Sequence, residues 1–288
     1  MNHTHCHAIN HCLYNDNSCN TGHGRFMTHH QAYRRIGGNS AAGLLIIADH
    51  ATNHVPADYD ALGLPKEAFG RHIAYDIGIE PLTERLAAML DAPAVLSCFS
   101  RLLIDPNRGE DDPTLIMKLS DGAIIPANHP LSPAERRRRI ETWHRPYHMA
   151  VDKAIAEVAM ACGKAPLVLS LHSFTPYWKG FRRPWQAGVL WDTDHRAVHP
   201  LIRALENRGY VTGDNEPYDG ALKGDTMYRH CMRNGIPHVL LEVRQDLIGD
   251  RRGVDEWAGV LAPIFSEMNA MPELHEYRIF PSRTGSYD

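Results

Sequence analysis

The 288-residue chain contains no run approaching the ~20 consecutive apolar residues that a membrane-spanning helix needs. It does not open on a charged patch followed by an apolar stretch, so no secretory leader is expected. It has no excess of positive charge: 30 Lys and Arg stand against 34 Asp and Glu, a net charge of −4. That balance excludes the strongly basic domain on which nucleic-acid binding depends. There is no CxxC pair among the six cysteines, so neither a zinc finger nor a dithiol redox motif is indicated. Cys98, Cys162 and Cys231 are scattered singly, as reduced and mostly buried thiols are, and the cytoplasm is the expected compartment. Internal repeats and a recognisable linker are also missing, so the globular part reads as one domain. At 43% hydrophobic and 22% charged residues it can bury a core of ordinary size.

Residues 1–39 differ from the rest. They hold seven of the nineteen histidines, three cysteines and little aliphatic periodicity. A disordered leader is expected there, with Met27 as an alternative start. A metal-loading tail is the sharper alternative, but no finger-like spacing supports it. The globular domain is assigned to residues 40–288.

Within that domain, apolar β-forming segments alternate with helical ones. Strands are expected at Leu44–Ala48, Ala94–Cys98, Leu102–Ile104, Pro166–His172, Gly188–Trp191, around Val211 and at Ile236–Val243. Helical periodicity runs through Pro81–Leu90, Ser132–Cys162, His195–Arg208, Gly224–Asn234 and Val254–Met268. Ser132 and Glu135 form a capping box around Pro133, and Pro146 is expected to kink the long helix. The arginines at 136–139 read as a solvated helix face. This alternation predicts a single-domain, three-layer α/β/α fold with a mostly parallel mixed sheet.

Three of the strands end in chemistry. LLIIA runs into Asp49 and His50, PLVLSL into His172, and HVLL into Glu242 and Arg244. Ligands of open α/β sheets sit beyond the carboxyl ends of the strands, so the three ends point to one site. Imidazole is the commonest metal-binding side chain, and a catalytic zinc takes three protein ligands. The third ligand is Asn53, His54, Asp76 or Asp49 by spacing, which leaves the choice open. A carboxylate at a buried strand end suits a general base, although Glu242 paired with Arg244 is the plainer alternative. Asn107 and Arg108, with Arg101 upstream, offer an amide and a planar fork for a carboxylate. Loop-stabilising bonds to Asp105 or Asp111 are an equal alternative.

The motifs LHSFTP, IDPNR and LLEVR, following a strand-end histidine, resemble the zinc carboxypeptidase superfamily. Together DHATNHVP, HIAYDIGIEPL, SRLLIDPNR, LHSFTP, GDNEPYDG and LEVRQD look more closely like the N-formylglutamate amidohydrolase family, over roughly Leu44 to Ile264. The resemblance implies a zinc-carboxypeptidase/phosphorylase-hydrolase-like fold. It also implies Zn2+ or another divalent metal on His50 and His172, Glu242 as base, and Asn107, Arg108 and Arg101 on the substrate carboxylate. Asn215 and Arg244 join the substrate-binding set, and Tyr218 joins Arg101 as an oxyanion donor. Asn53 stands where the carboxypeptidase pattern has glutamate, and Asp76 is the candidate to replace it as ligand. The implied activity removes a formyl or small acyl group from an acidic N-acyl amino acid. A non-catalytic binder of such compounds, or a peptidase or deacylase with other N-acyl substrates, are the rival readings.

Overall fold

The computed structural model describes residues 31–287, and every structural statement below concerns them. Seven strands form one mixed sheet: β1 (Tyr33–Ile36), β2 (Leu44–Ala48), β3 (Ala94–Ser97), β4 (Leu167–Phe174), β5 (Ala187–Leu190), β6 (Thr212–Asp214) and β7 (His238–Arg244). Their spatial order is β1-β3-β2-β4-β7-β5-β6. The inner strands β3, β2, β4 and β7 are parallel, β1 is antiparallel to β3, and β5 is antiparallel to β7. The α-helices are α1 (Ile79–Leu90), α2 (Pro133–Arg139), α3 (Arg145–Cys162), α4 (Val198–Glu206), α5 (Thr226–His230) and α6 (Arg251–Asn269).

The central strands are buried on both faces, which is why they read as unbroken apolar runs and not as alternating ones. Leu44, Ile46, Leu167, Leu169, Val239 and Leu241 point into one core beneath α1, α4 and α6. Leu45, Ile47, Val168 and Leu240 point into a second core beneath α3. A helix layer on each face of the sheet gives the three-layer sandwich that the alternation predicted.

Three local expectations are corrected. Tyr33–Ile36 lies in the segment assigned to the leader, yet it forms β1 against β3; residues 1–30, with the histidine-rich tract, lie outside the described residues. Leu102–Ile104 is buried but forms no strand. Its backbone finds other partners, since Asn128 Nδ2 donates to the Leu102 carbonyl and Arg139 donates to that of Leu103. Apolar character drove the segment inward, and two polar side chains took the place of a sheet neighbour. Those same bonds bury Arg139, so the arginine run is not wholly a solvated face.

The long helix is not simply kinked at Pro146. A π-helical turn, Ile140–His144, separates α2 from α3, and Pro146 sits in the first turn of α3. A proline has no N–H to donate, and a widened turn just before it accommodates the lost bond. Ser132 does cap α2, its hydroxyl accepting from the Glu135 amide at 3.1 Å. Of the scattered cysteines, Cys231 is buried, while Cys98 and Cys162 are partly exposed; all three are free thiols. Among the described residues no helix is long and apolar enough to cross a membrane.

Candidate metal centre and active site

The carboxyl ends of β2, β4 and β7 converge as the apolar runs implied. His50 leaves β2 two residues past its end, while His172 and Glu242 are register partners on the paired strands β4 and β7. Asp76 comes from the segment leading into α1. Its amide donates to the His50 carbonyl at 2.9 Å, fixing the two residues to each other through the backbone. Two residues on, Gly78 takes a left-handed conformation (φ 83°), and a Cβ there would meet the Ile248 carbonyl oxygen at 2.2 Å. Only glycine lets this turn pack so closely, and the turn is what delivers Asp76 to the site.

His50, Asp76 and His172 form the one grouping of metal-ligating residues that converge on a point among the described residues. The two Nδ1 atoms lie 3.3 Å apart, and Asp76 Oδ2 lies 2.8 Å from that of His172 and 3.5 Å from that of His50. Ligand bonds of about 2.0–2.1 Å in a tetrahedral zinc shell separate ligand atoms by about 3.3–3.4 Å, close to this spacing. The outward nitrogens are also fixed. His50 Nε2 lies 2.6 Å from Asp105 Oδ1, and His172 Nε2 lies 3.2 Å from Asp49 Oδ2. A carboxylate only accepts, so each outward nitrogen carries the proton and each inward Nδ1 can present a lone pair. Asp49 is itself held by Tyr147 and Thr226, each at 2.8 Å, and Asp105 accepts the Asn107 amide at 2.9 Å.

Two lone pairs and a carboxylate facing one another in a buried space demand positive charge between them. A cation satisfies that demand; without one, a proton must. Burial alone would lower the His172 imidazole, but its bonds to Asp49 and Asp76 raise it to about 10. Burial likewise opposes ionisation of Asp76, and the charges of Arg101 and His50 overcome it and hold the carboxyl well below the usual range. The donor set, its burial and its outer carboxylates fit a divalent metal.

Glu242 is buried beside this cluster, and its Oε2 has no hydrogen-bond partner among the described residues. Burial raises its carboxyl to about 7, with His172 pulling it down and Asp76 pushing it up. That is the range a general base needs near neutral pH. On its other side β5 offers Gly188, the register partner of Glu242. The Glu216 carbonyl oxygen would lie 2.1 Å from a Cβ at Gly188, so the 213–220 loop closes tightly over the strand.

The remaining candidates divide. Arg101 donates through its guanidinium to Asp76 Oδ1 and so orients that carboxylate. Asn107 Oδ1 accepts the Thr226 amide at 3.0 Å, and Arg108 donates to the Asn107 carbonyl at 2.8 Å. Tyr218 is partly exposed on the 213–220 loop, and burial together with the charge of Glu242 raises its phenol.

Three candidates are not brought to the site. Asn53 donates to the Phe69 carbonyl at 2.7 Å, and the carboxylate that converges with His50 and His172 is that of Asp76. Arg244 is bound by Asp246 at 2.7 Å and the Trp185 carbonyl at 3.2 Å, leaving its fork occupied. Asn215 Oδ1 accepts the Trp191 and Gly220 amides at 2.9 and 3.0 Å and so closes its own loop. Two residues were overlooked. Asp105 backs His50, and the signal was an acid directly after the buried LLI segment. Arg183 is buried with its guanidinium 4.9 Å from the centre of the Tyr218 ring, and nothing in its sequence context marks it.

Fold and site together define a single three-layer α/β domain with a cluster of potential metal-ligating side chains at the carboxyl ends of parallel strands. The family model described as FGase, N-formylglutamate amidohydrolase, matches residues 42–249, and the chain belongs to that family. The structure is similar to that of the gene product Atu2144 from Agrobacterium tumefaciens, with a TM-score of 0.78 and 31% identity over 85% of this chain and 98% of that one. It is also similar to N-formylglutamate amidohydrolase from Ralstonia eutropha JMP134, with a TM-score of 0.64 and 23% identity over 83% of this chain and 97% of that one. A comparison with curated protein sequences yields no match.

Proposed function

We propose that the chain is a metal-dependent amidohydrolase that removes a formyl or other small acyl group from an acidic N-acyl amino acid such as N-formylglutamate. The observation that carries the reading is the convergence of His50, His172 and Asp76 beside the buried Glu242, whose Oε2 has no hydrogen-bond partner among the described residues. His50, His172 and Asp76 would hold the metal, and the N2O ligand set favours Zn2+ over the harder cations. When bound, such an ion supplies Lewis acidity, polarising the amide carbonyl and lowering the pKa of water.

The protein's own residues supply the rest. Glu242 takes the proton of the attacking water and returns it to the leaving nitrogen, so that acid and free amino group emerge. Arg108 pairs with the substrate carboxylate through its fork, and the Asn107 amide donates alongside it, its oxygen already held by Thr226. Both act by positioning. Arg101 keeps Asp76 ionised and oriented. Tyr218, whose raised phenol keeps its proton at neutral pH, donates to the developing oxyanion.

The test pairs metal analysis with turnover. Chelated protein is reconstituted with Zn2+, and acid release is measured over a panel of N-acyl amino acids that includes N-formyl-L-glutamate. One equivalent of metal with formate release from the acidic substrates supports the reading. Ligand-induced stabilisation with neither metal uptake nor turnover would replace it with a binding protein. Turnover confined to other acyl groups would make it a different deacylase.

A further inference from the structure

Arg183 is a buried arginine outside the ligand set and apart from Arg108. It follows the hairpin formed by Tyr177–Trp178 and Phe181–Arg182, and it is only 7% exposed. Three aromatic rings surround its guanidinium: Tyr218 at 4.9 Å, and Phe174 and Trp178 at 5.6 Å each. Nη1 donates to the Thr175 carbonyl at 3.2 Å and to the Thr175 hydroxyl at 3.0 Å. Both acceptors are neutral, and among the described residues no carboxylate pairs with this guanidinium. A buried charge without an opposite one is costly, and aromatic faces and neutral oxygens offset only part of that cost.

The fold sets that charge beside the reaction site. Side chains two apart on a strand share a face, so Phe174 lies on the face of β4 that presents His172. The register partners of His172 and Phe174 on β7 are Glu242 and Arg244. Tyr218 ties the groups together. Burial and the charges of Glu242 and Asp76 raise its phenol, while Arg183 opposes them through its charge and a hydrogen bond. Glu242 is not the missing anion, since after burial the groups that weigh most on its carboxyl are His172, Asp76, Arg101 and His50. Nor is the guanidinium sealed off. It lines an open cleft of about 340 Å³ with Trp178, Trp185 and Glu216, an acid that makes no ion pair with it.

An N-acylated dicarboxylic amino acid brings two negative charges, and Arg108 with Asn107 accounts for one. We propose that Arg183 is a specificity-determining residue that receives the second carboxylate, so that the site selects diacids over their monoamides. Aromatic rings packed on a planar guanidinium hold its fork in one orientation without spending its donors. The N–H groups not engaged by Thr175 are then free for a carboxylate. The identity of the substrate rests on the amidohydrolase reading above; the carboxylate site itself does not.

The zinc-loaded full-length protein is assayed on N-formyl-L-glutamate and its two monoamides, N-formyl-L-glutamine and N-formyl-L-isoglutamine. The parent should prefer the diacid to each monoamide by about ten-fold or more in kcat/KM, the scale of one charge-assisted pair. Arg183→Gln should lose about ten-fold in kcat/KM on the diacid and on one monoamide. On the other monoamide, which lacks the carboxylate that Arg183 holds, it should stay within about two-fold of the parent. Arg108→Ala should show the opposite choice of monoamide. A parent that takes either monoamide as well as the diacid overturns the proposal without any variant. An equal loss on all three compounds in Arg183→Gln also overturns it, because a residue that only steadies Tyr218 would act alike on each. Binding without turnover separates the carboxylate site from the chemistry. By calorimetry the parent should bind glutarate about ten-fold more tightly than its monoamide glutaramate, and Arg183→Gln should bind the two within about two-fold. That result without hydrolysis of any N-acyl amino acid upholds the carboxylate site and removes the amidohydrolase reading alone. Equal affinities in the parent overturn the site, with or without turnover.

Discussion

Among the described residues two buried histidine clusters border the Asp105–Arg108 loop, built from the same ring but arranged differently. Around His50 and His172 each ring has a carboxylate behind it, so the protons face outward and the lone pairs converge with Asp76. Around His148 and His230 the rings lie in line, nitrogen to nitrogen, between the Pro106 carbonyl and the Asp152 carboxylate, with His144 Nε2 3.2 Å from His148 Nε2. Convergence brings lone pairs to one point, whereas alignment spends ring nitrogens on one another. Counting histidines cannot separate the two, whereas asking where each nitrogen's proton must sit does so at once.

Four changes break or sharpen this contrast. Glu242→Gln should lower kcat about 10²- to 10⁴-fold, the range for loss of a general base, with bound metal unchanged by elemental analysis. Near-normal turnover would remove Glu242 from the chemistry. Asp105→Asn should weaken metal binding about 10- to 100-fold, because His50 loses the partner that fixes its tautomer. A competition titration with a chelator would read it, and equal affinity would detach the outer carboxylate from the ligand role. Arg108→Ala should raise KM for acidic substrates about ten-fold and leave neutral N-acyl substrates nearly unchanged, since one charge-assisted bond is worth ~1.5–3 kcal/mol. Asn53→Ala should leave metal affinity within about two-fold, the smallest effect, because its partner is a distant carbonyl and removing a neutral bond costs only ~1 kcal/mol.

The pH behaviour of the metal-free protein follows from His172. Its folded pKa of about 10 lies above the ordinary imidazole value, so the protonated ring contributes stability that is fully present below about pH 6.5 and is lost as pH rises through 10. Metal binding runs the other way, since the ion must displace that proton. Thermal melts of chelated protein should therefore fall with rising pH over this window. Zinc uptake at neutral pH should release about one proton, measurable by calorimetry in buffers of different ionisation enthalpy.

Much of this was legible before any coordinates. The β2, β4 and β7 runs are apolar on both faces because both faces are covered, and a polar residue directly after such a run has few places to go except the sheet's end. That logic found His50, His172 and Glu242. At Asn53 spacing left the choice open, and the structure holds its side-chain amide on the Phe69 carbonyl while Asp76 converges with the histidines. Arg244 shares a strand with Glu242, yet Asp246 two residues on captures it. Leu102–Ile104 misled for a different reason: burial and β-propensity look alike in one dimension, and the partners that settle the matter, Asn128 and Arg139, lie 26 and 36 residues away. Asp105 and the His144–His148–His230 line depend wholly on such distant pairings.

The π-helical turn at Ile140–His144 carries a consequence for how the domain tolerates change. It adds about one residue to a helical turn, and each residue of an α-helix rotates its neighbours by about 100°. That offset lets Arg136 and Arg139 reach Glu110 and Leu103 from one half, while Arg145 and His148 reach Glu110 and Pro106 from the other. Deleting a single residue there would straighten the rod and swing one hand off the loop it shares with its twin. In this molecule the length of that turn thus sets how the two helices meet the segment from Leu103 to Glu110.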